Sequence, residues 1–253
     1  MTVLGRVIEV WRYPVKSFRG EPVERAELGE RGIPFDRAWG VVDAASGKVL
    51  SAKREARLLE GAARLDGDVA VLELPDGAWR ANDPAVHTAL SAWLGRDVRL
   101  EQAEAAEQRS YEMNVSAEDE GSPTFDFPCP PGTFFDVATV HLLTTSSLRA
   151  IAAERPASAW DVRRFRPTVL VDTDGDGFVE DDWVGQSLRI GGAQAMFFAP
   201  TVRCVMTTRA QGDLPRDLEV VKTINRSHQS NLGAYGIVEA PGPVSVGDEV
   251  TLG

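Results

Sequence analysis

The stretch RAELGERGIPFDRAWGVVDAASGKVLSAK, residues 25–53, decides the fold class. It alternates short β-type runs with turn residues. RAEL is followed by a Gly/Pro turn at GERGIP. WGVVD and VLSAK are two further strand candidates, and ASGK at 45–48 separates them as a hairpin. Neighbouring segments repeat the pattern. VLGRVIEVWRYPVKS (3–17) is a strand in which Pro14 ends the ladder or marks an edge. VAVLELPDGAW (69–79) carries a PDG turn at 75–77, and DVRLEQA (97–103) is another short strand.

Helical signals are fewer. DPAVHTALSAWLG (83–95) offers Asp83 as N-cap, Pro84 at the first helical position, apolar residues at helical spacing and Gly95 as terminator. HLLTTSSLRAIAAE (141–154) runs from a strand into a helix, with Ser146 or Ser147 as the expected N-cap. Residues 104–133 are polar and acidic, then Pro-rich, and read as a long connection. RRFRPTVLVDT (163–173) is a strand after a basic turn. FVEDDWVGQSLRIGGAQAMFFAP (178–200) reads as short strands with Gly turns. GAYGIVEAPGPVSVGDEVTLG (233–253) reads as two short strands around Pro/Gly. Many short strands with few helices predict a mainly β fold, a barrel with peripheral helices.

The 253 residues suffice for one large domain or two interlocked ones. The net charge of −11 argues against general nucleic-acid binding, which needs a basic footprint. An anionic ligand would have to be held by a few locally placed Lys and Arg residues. No basic start is followed by an apolar run, and no apolar stretch approaches the roughly 20 residues of a membrane span, so no membrane association is expected. Two isolated cysteines, Cys129 and Cys204, make no disulfide framework and point to a reducing, cytoplasmic setting.

Standard catalytic motifs are missing. There is no G-x-S-x-G, no Walker loop and no G-x-G-x-x-G after a strand. Asp172-Thr-Asp174-Gly-Asp176-Gly177 matches half of a calcium loop, but Trp183 stands where the bidentate Glu belongs, and an acidic turn is the better reading. Zinc ligation has no C-x-x-C pair to build on. Cys129, in FPCPP, reads as structural. Cys204, in PTVRCVMTT, is taken alone a small buried filler. Arg203 beside it would stabilise a thiolate. Lys16, Arg37 and Arg166 likewise place single cations beside turn or aromatic residues, and spacing alone does not show that they converge.

The ordered set YPVKSFRGE, GIPFDRAWGVVD, LSAKR, HLLTTSSL, RFRPTVLVD, FVEDDWVGQSLRIG, PTVRCVMTT and VSVGDEV resembles the MOSC-domain proteins. The resemblance is to the two-part type with an N-terminal β-barrel-like MOSC-N region, which includes the mitochondrial amidoxime-reducing components. It implies a MOSC-N region over residues 1–115 packed against a MOSC barrel over residues 116–253. It implies molybdenum cofactor, with the Cys204 sulfur as molybdenum ligand and catalytic centre. Lys16, Ser17, Arg37, Arg166 and Arg203 match positions that hold the pterin and its phosphate. Asp136 and the backbone after it match a stretch lining the metal, and Thr168 stands where the family often has Asn. The implied activity is reduction of N-oxygenated small molecules, such as N-hydroxylated amidines. Electrons are expected from a separate iron–sulfur, flavin or haem protein. Two alternatives stay open: Cys204 as a persulfide sulfur carrier, and a non-enzymatic carrier of the cofactor. After Thr208 this chain reads RAQGDLPR (209–216), where the family commonly has V-D-P and then T-G, so the loop over the site differs.

Overall fold

The computed structural model describes residues 2–104, 107–117, 119 and 121–253. Its first half contains β1 (Val3–Arg12), β2 (Glu21–Val23), β3 (Arg25–Leu28), β4 (Trp39–Asp43), β5 (Ala62–Asp66), β6 (Val69–Leu74), β7 (Gly77–Arg80), α1 (Ala85–Leu94), β8 (Val98–Gln102), β9 (Ser110–Asn114) and β10 (Thr124–Pro128). There follow β11 (Val140–Thr144), α2 (Thr145–Glu154), β12 (Val169–Asp172), β13 (Gln186–Ile190), β14 (Ala193–Val202), α3 (Glu219–His228), β15 (Asn231–Ala240), β16 (Gly242–Ser245) and β17 (Glu249–Leu252).

Seven strands close a barrel in the order β1, β17, β13, β14, β15, β11, β12 and back to β1. All neighbours are antiparallel except β11 and β12, which run parallel. Closure removes free sheet edges and packs the inward side chains against one another. Val7, Val10, Leu142, Val169, Val171, Leu188, Ile190, Phe197, Ala234 and Val250 form this buried core. The first strand of the chain therefore belongs to the same barrel as strands near its end.

A second core lies outside the barrel. β4 pairs with β8, and the meander β5–β6–β7 packs with them and α1 around Val15, Phe18, Trp39, Val41, Leu58, Leu72, Val86 and Leu90. The two-residue period of β4 serves two cores: Trp39 and Val41 face this one, while Val42 packs with Val49, Tyr111, Cys129 and Phe134.

The mainly β architecture and a helix within 83–95 match expectation, except that Pro84 and not Asp83 takes the N-cap position, without a side-chain cap bond. Ala85 N–H donates to the Asp83 carboxylate at 2.9 Å, and Gly95 ends α1 in a left-handed conformation.

Several local expectations are corrected. The hairpin turn at 45–48 forms, with Asp43 N–H donating to Lys48 O at 2.9 Å. Its second arm is cut short after a single bridge at Val49. Ser17 Oγ accepts the Ala52 N–H, and Arg54 and Glu55 both donate to Ser51 O, so the chain turns inward at Ser51. The connection 104–133 contains the hairpin β9–β10, in which Tyr111 faces Phe127 and Met113 faces Phe125. Cross-strand aromatic contacts favour this pairing. Residues 105, 106, 118 and 120 of that connection lie outside the described residues.

Thr144, not Ser146 or Ser147, caps α2, accepting from Ser147 N–H at 3.2 Å, because Thr144 is still extended. Val179–Trp183 is a 3-10 turn instead of a strand, since Glu180 and Trp183 both turn inward. The C-terminal stretch holds three strands, not two, because a turn with Gly247 in a left-handed conformation (φ 94°) separates β16 from β17. α3 is a helix that the sequence reading does not include; Val220, Val221, Thr223 and Ile224 form its buried face. The acidic turn 172–177 is braced by Arg149, which donates to Thr173 O and Gly175 O. No helix among the described residues is long and apolar enough to cross a membrane.

Candidate functional site

The loop after β1 turns back across the start of β4. Tyr13 N–H donates to Asp36 Oδ1 at 2.8 Å, Arg37 N–H donates to Tyr13 O at 2.8 Å, and Lys16 N–H donates to Trp39 O at 2.8 Å. Four non-glycine residues of this region sit in the left-handed conformation: Ser17 (φ 66°), Phe35 (φ 65°), Arg37 (φ 50°) and Arg166 (φ 55°). Such backbone is held against a local energy penalty of about 1–3 kcal/mol per residue and clusters at functional sites. Here it aims the side chains of Ser17, Arg37 and Arg166 into one space.

That space is a cavity of about 440 Å³ between the barrel end and the outer layer. The volume is in the range of small-molecule sites. Lys16, Ser17, Arg37, Asp136, Arg166, Thr168, Arg203 and Cys204 all line it, so the structure brings together every candidate residue singled out above. It adds Lys53, whose inward turn at Ser51 was not evident from sequence, together with Arg164, His141 and Tyr235. LSAKR and HLLTT contained Lys53 and His141, but nothing in their spacing set them apart from ordinary polar residues.

The electrostatics are one-sided. Among the described residues six cations line the cavity: Lys16, Arg37, Lys53, Arg164, Arg166 and Arg203. Among the described residues two carboxylates face them, Asp136 in the wall and Asp36 bonded to Arg37 at 2.5 Å, which leaves a formal surplus of four positive charges. Lys16 and Lys53 both donate to Asp136, Lys53 at 2.5 Å, and Lys16 also donates to Phe134 O at 2.7 Å. Burial opposes ionisation of Asp136, yet the two ammonium groups outweigh it and hold its carboxyl well below the usual carboxylate range. Burial pushes Lys16 down. Arg37 and Arg166 both lie over the Tyr13 ring, 4.2 Å from its centroid. Burial pushes Arg166 and Arg203 down to about 10, so both stay charged at neutral pH.

Not every cation is free to meet a ligand. Arg203 donates from Nε to Leu232 O at 2.8 Å, from one terminal nitrogen to Phe165 O at 3.1 Å, and from the other to Leu232 O and His141. It is a brace for the chain just before Cys204. Arg164 donates to the carbonyls of Ala159, Thr207, Arg209 and Pro215, and braces the turn just after it. Ser17 Oγ accepts from Ala52 N–H, and Thr168 Oγ1 accepts from His141 N–H at 3.0 Å. Cys204 lies two residues past the end of β14, still in extended conformation, and leads a 3-10 turn over Val205–Thr208. Thr207 ties that turn by donating its N–H to Cys204 O at 3.0 Å. Val205 N–H donates to Ala117 O at 2.8 Å, which fastens the β9–β10 hairpin across the cysteine loop.

Cys204 is half-buried and Cys129 fully buried; both thiols are free. The Ser51 hydroxyl lines the cavity, is buried and has no hydrogen-bond partner. A buried polar atom without a partner marks a place for a missing ligand group. Positive surplus, an orphaned hydroxyl and a soft sulfur at one wall fit an anionic, sulfur-bound metal cofactor.

The MOSC N-terminal beta barrel domain family matches residues 4–122, and the MOSC domain family matches residues 131–251. The chain is 27% identical over 288 residues to mitochondrial amidoxime-reducing component 1 of Homo sapiens, spanning 98% of this chain and 83% of that protein. It is 26% identical over 292 residues to mitochondrial amidoxime reducing component 2 of Homo sapiens, with the same coverage. The crystal structure of the YUAD protein from Bacillus subtilis is similar with a TM-score of 0.50 at 12% identity, over 97% of this chain and 93% of that one, a likeness of fold. With both families matched in order along nearly its whole length, the chain belongs to the MOSC domain family, in the arrangement that sets the MOSC N-terminal β-barrel domain ahead of the MOSC domain.

Proposed function

We propose that the chain is an oxidoreductase that binds molybdenum cofactor in the 440 Å³ cavity and reduces N-oxygenated small molecules there. One observation carries the proposal: a buried surplus of positive charge converges with a half-buried cysteine on one cavity of an otherwise acidic protein. Similarity over nearly the full chain to amidoxime-reducing components supplies the substrate class.

In this proposal Lys16, Lys53, Arg37 and Arg166 supply the charge that meets the pterin phosphate. Asp136 stays ionised between the two lysines and fixes their positions. Ser51 offers an unused hydroxyl. Cys204 supplies the metal ligand, and Arg203 and Arg164 hold the chain on either side of it. The cofactor, when bound, supplies two-electron oxygen-transfer chemistry. For an amidoxime the balance is R–C(NH2)=N–OH + 2 e⁻ + 2 H⁺ → R–C(NH2)=NH + H2O. The electrons come from a separate iron–sulfur, flavin or haem protein. The proposed working units are residues 1–115 and 116–253, joined through β1 in the barrel and through the β9–β10 hairpin that spans their boundary. The free thiols suit a reducing compartment, here the cytoplasm, although the relatives named above are mitochondrial.

The test is metal and pterin analysis of protein from a cofactor-competent host. Stoichiometric molybdenum, lost in Cys204→Ala, together with benzamidoxime reduction under a chemical reductant is the expected result. Metal-free protein with labile sulfur on Cys204 would make it a sulfur carrier. Bound cofactor without benzamidoxime reduction would make it a cofactor carrier.

A further inference from the structure

The cavity wall is divided by polarity. Among the described residues, every charged residue in it is buried or half-buried, and its exposed members are all apolar: Val137 (47% exposed), Phe198 (43%) and Val202 (57%). Phe198, Ala199, Pro200 and Val202, in the last part of β14 where bulges interrupt its regular alternation, all line the cavity. Val137 directly follows Asp136, so the charged floor and the apolar rim are one residue apart. Single exposed apolar side chains are ordinary on a soluble protein. Three gathered at the mouth of one cavity form a patch of the kind that marks a binding surface.

A ligand held only by the floor would need no such rim. A substrate that enters past Phe198 and Val202 loses water from its body against them, while only its polar head reaches the cations and Cys204. A cationic body would meet the surplus positive charge at close range.

We infer that Phe198, Val202 and Val137 are specificity-determining residues, which select substrates with an uncharged, apolar and preferably aromatic body behind a small polar N–O head. This rests on the reductase reading given above, and it makes the rim a contact for the substrate and not for the electron-donor protein.

The experiment uses Phe198→Ser, Val202→Ser and the double variant. Benzamidoxime and acetamidoxime carry the same reacting group on a phenyl and on a methyl body. With a chemical reductant, so that no partner protein takes part, the ratio of their kcat/KM values is expected to fall about tenfold in the double variant, through KM for benzamidoxime. A second readout needs no turnover. Benzamide, uncharged and without an N–O bond, is expected to receive saturation from metal-free protein in ligand-observed NMR, and to lose it in the double variant. An unchanged ratio with unchanged benzamide saturation overturns the inference. So does a defect that appears only when a protein donor replaces the chemical reductant, which would give the rim to the partner. If the unaltered chain reduces no amidoxime while benzamide still contacts the rim, the reductase reading fails and the rim assignment stands.

Discussion

The Nε2 atom of His141 accepts a hydrogen bond from the Arg203 guanidinium at 2.5 Å, and Arg203 is the residue before Cys204. The other ring nitrogen faces Arg166 O at 3.4 Å and carries the proton, a tautomer assigned from these partners. One neutral imidazole thus ties together the backbone of one cavity cation and the side chain of another.

His141 is held well below its ordinary value, by burial first and by Arg203 second. Below about pH 6.5 the unfolded chain takes up a proton that the native chain refuses. The stability contribution is therefore complete above about pH 6.5 and is lost as pH falls, by at most about 1.4 kcal/mol per pH unit. His141→Gln keeps an acceptor near Arg203 and has no such proton to bind. Urea unfolding between pH 6.5 and 5 is expected to show a flatter dependence in this variant than in the unaltered chain.

Asp136→Asn removes the carboxylate shared by Lys16 and Lys53. Breaking a fully buried pair costs about 3–5 kcal/mol, but solvent reaches 35% of the Asp136 side chain, so about 2 kcal/mol is expected in urea unfolding. The cavity also becomes more positive. Inorganic phosphate is expected to raise the melting temperature of the variant more than that of the unaltered chain. Equal shifts would show that the cavity charge does not govern anion binding.

The two cysteines are expected to react at different rates. Cys129 is 1% exposed, and burial pushes its thiol up, whereas Cys204 is half-buried at the cavity wall. A chromogenic disulfide reagent should label one thiol in the native protein and two in urea, and Cys204→Ala should abolish the native signal.

Glu180 is buried beneath α2, where Thr144 and Ser147 hydroxyls both donate to its Oε2 at 2.6 Å while Oε1 has no partner. Burial raises its carboxyl above the ordinary value. A raised native value stabilises below the unfolded value and loses that contribution as pH rises. Glu180→Gln, neutral at every pH, is expected to gain midpoint stability at pH 8 relative to its gain at pH 4.5 in paired thermal melts.

The sequence alone carried the local grammar of the fold. Short β runs, the ASGK turn and the Asp83-to-Gly95 frame of α1 are set by residues next to one another, so spacing reveals them. The resemblance gathered eight residues as one candidate site, and all eight line the cavity. The inward turn at Ser51 was hidden because it depends on Ser17, 35 residues away in the chain from Ala52, whose N–H it accepts. The β9–β10 pairing was hidden because its acidic, Pro-rich composition argues for loop, whereas a five-pair ladder and the Tyr111–Phe127 contact across it form only in the folded chain. Closure of the barrel through β1 and β12 was equally invisible.

What a residue type is good for follows from its own chemistry, which the sequence states. Which carbonyls Arg203 holds, and whether six cations repel one another across the molecule or crowd one cavity, depends on distances between segments far apart in the chain. Coulomb energy and hydrogen bonding act over ångströms in space, so only the tertiary structure decided them.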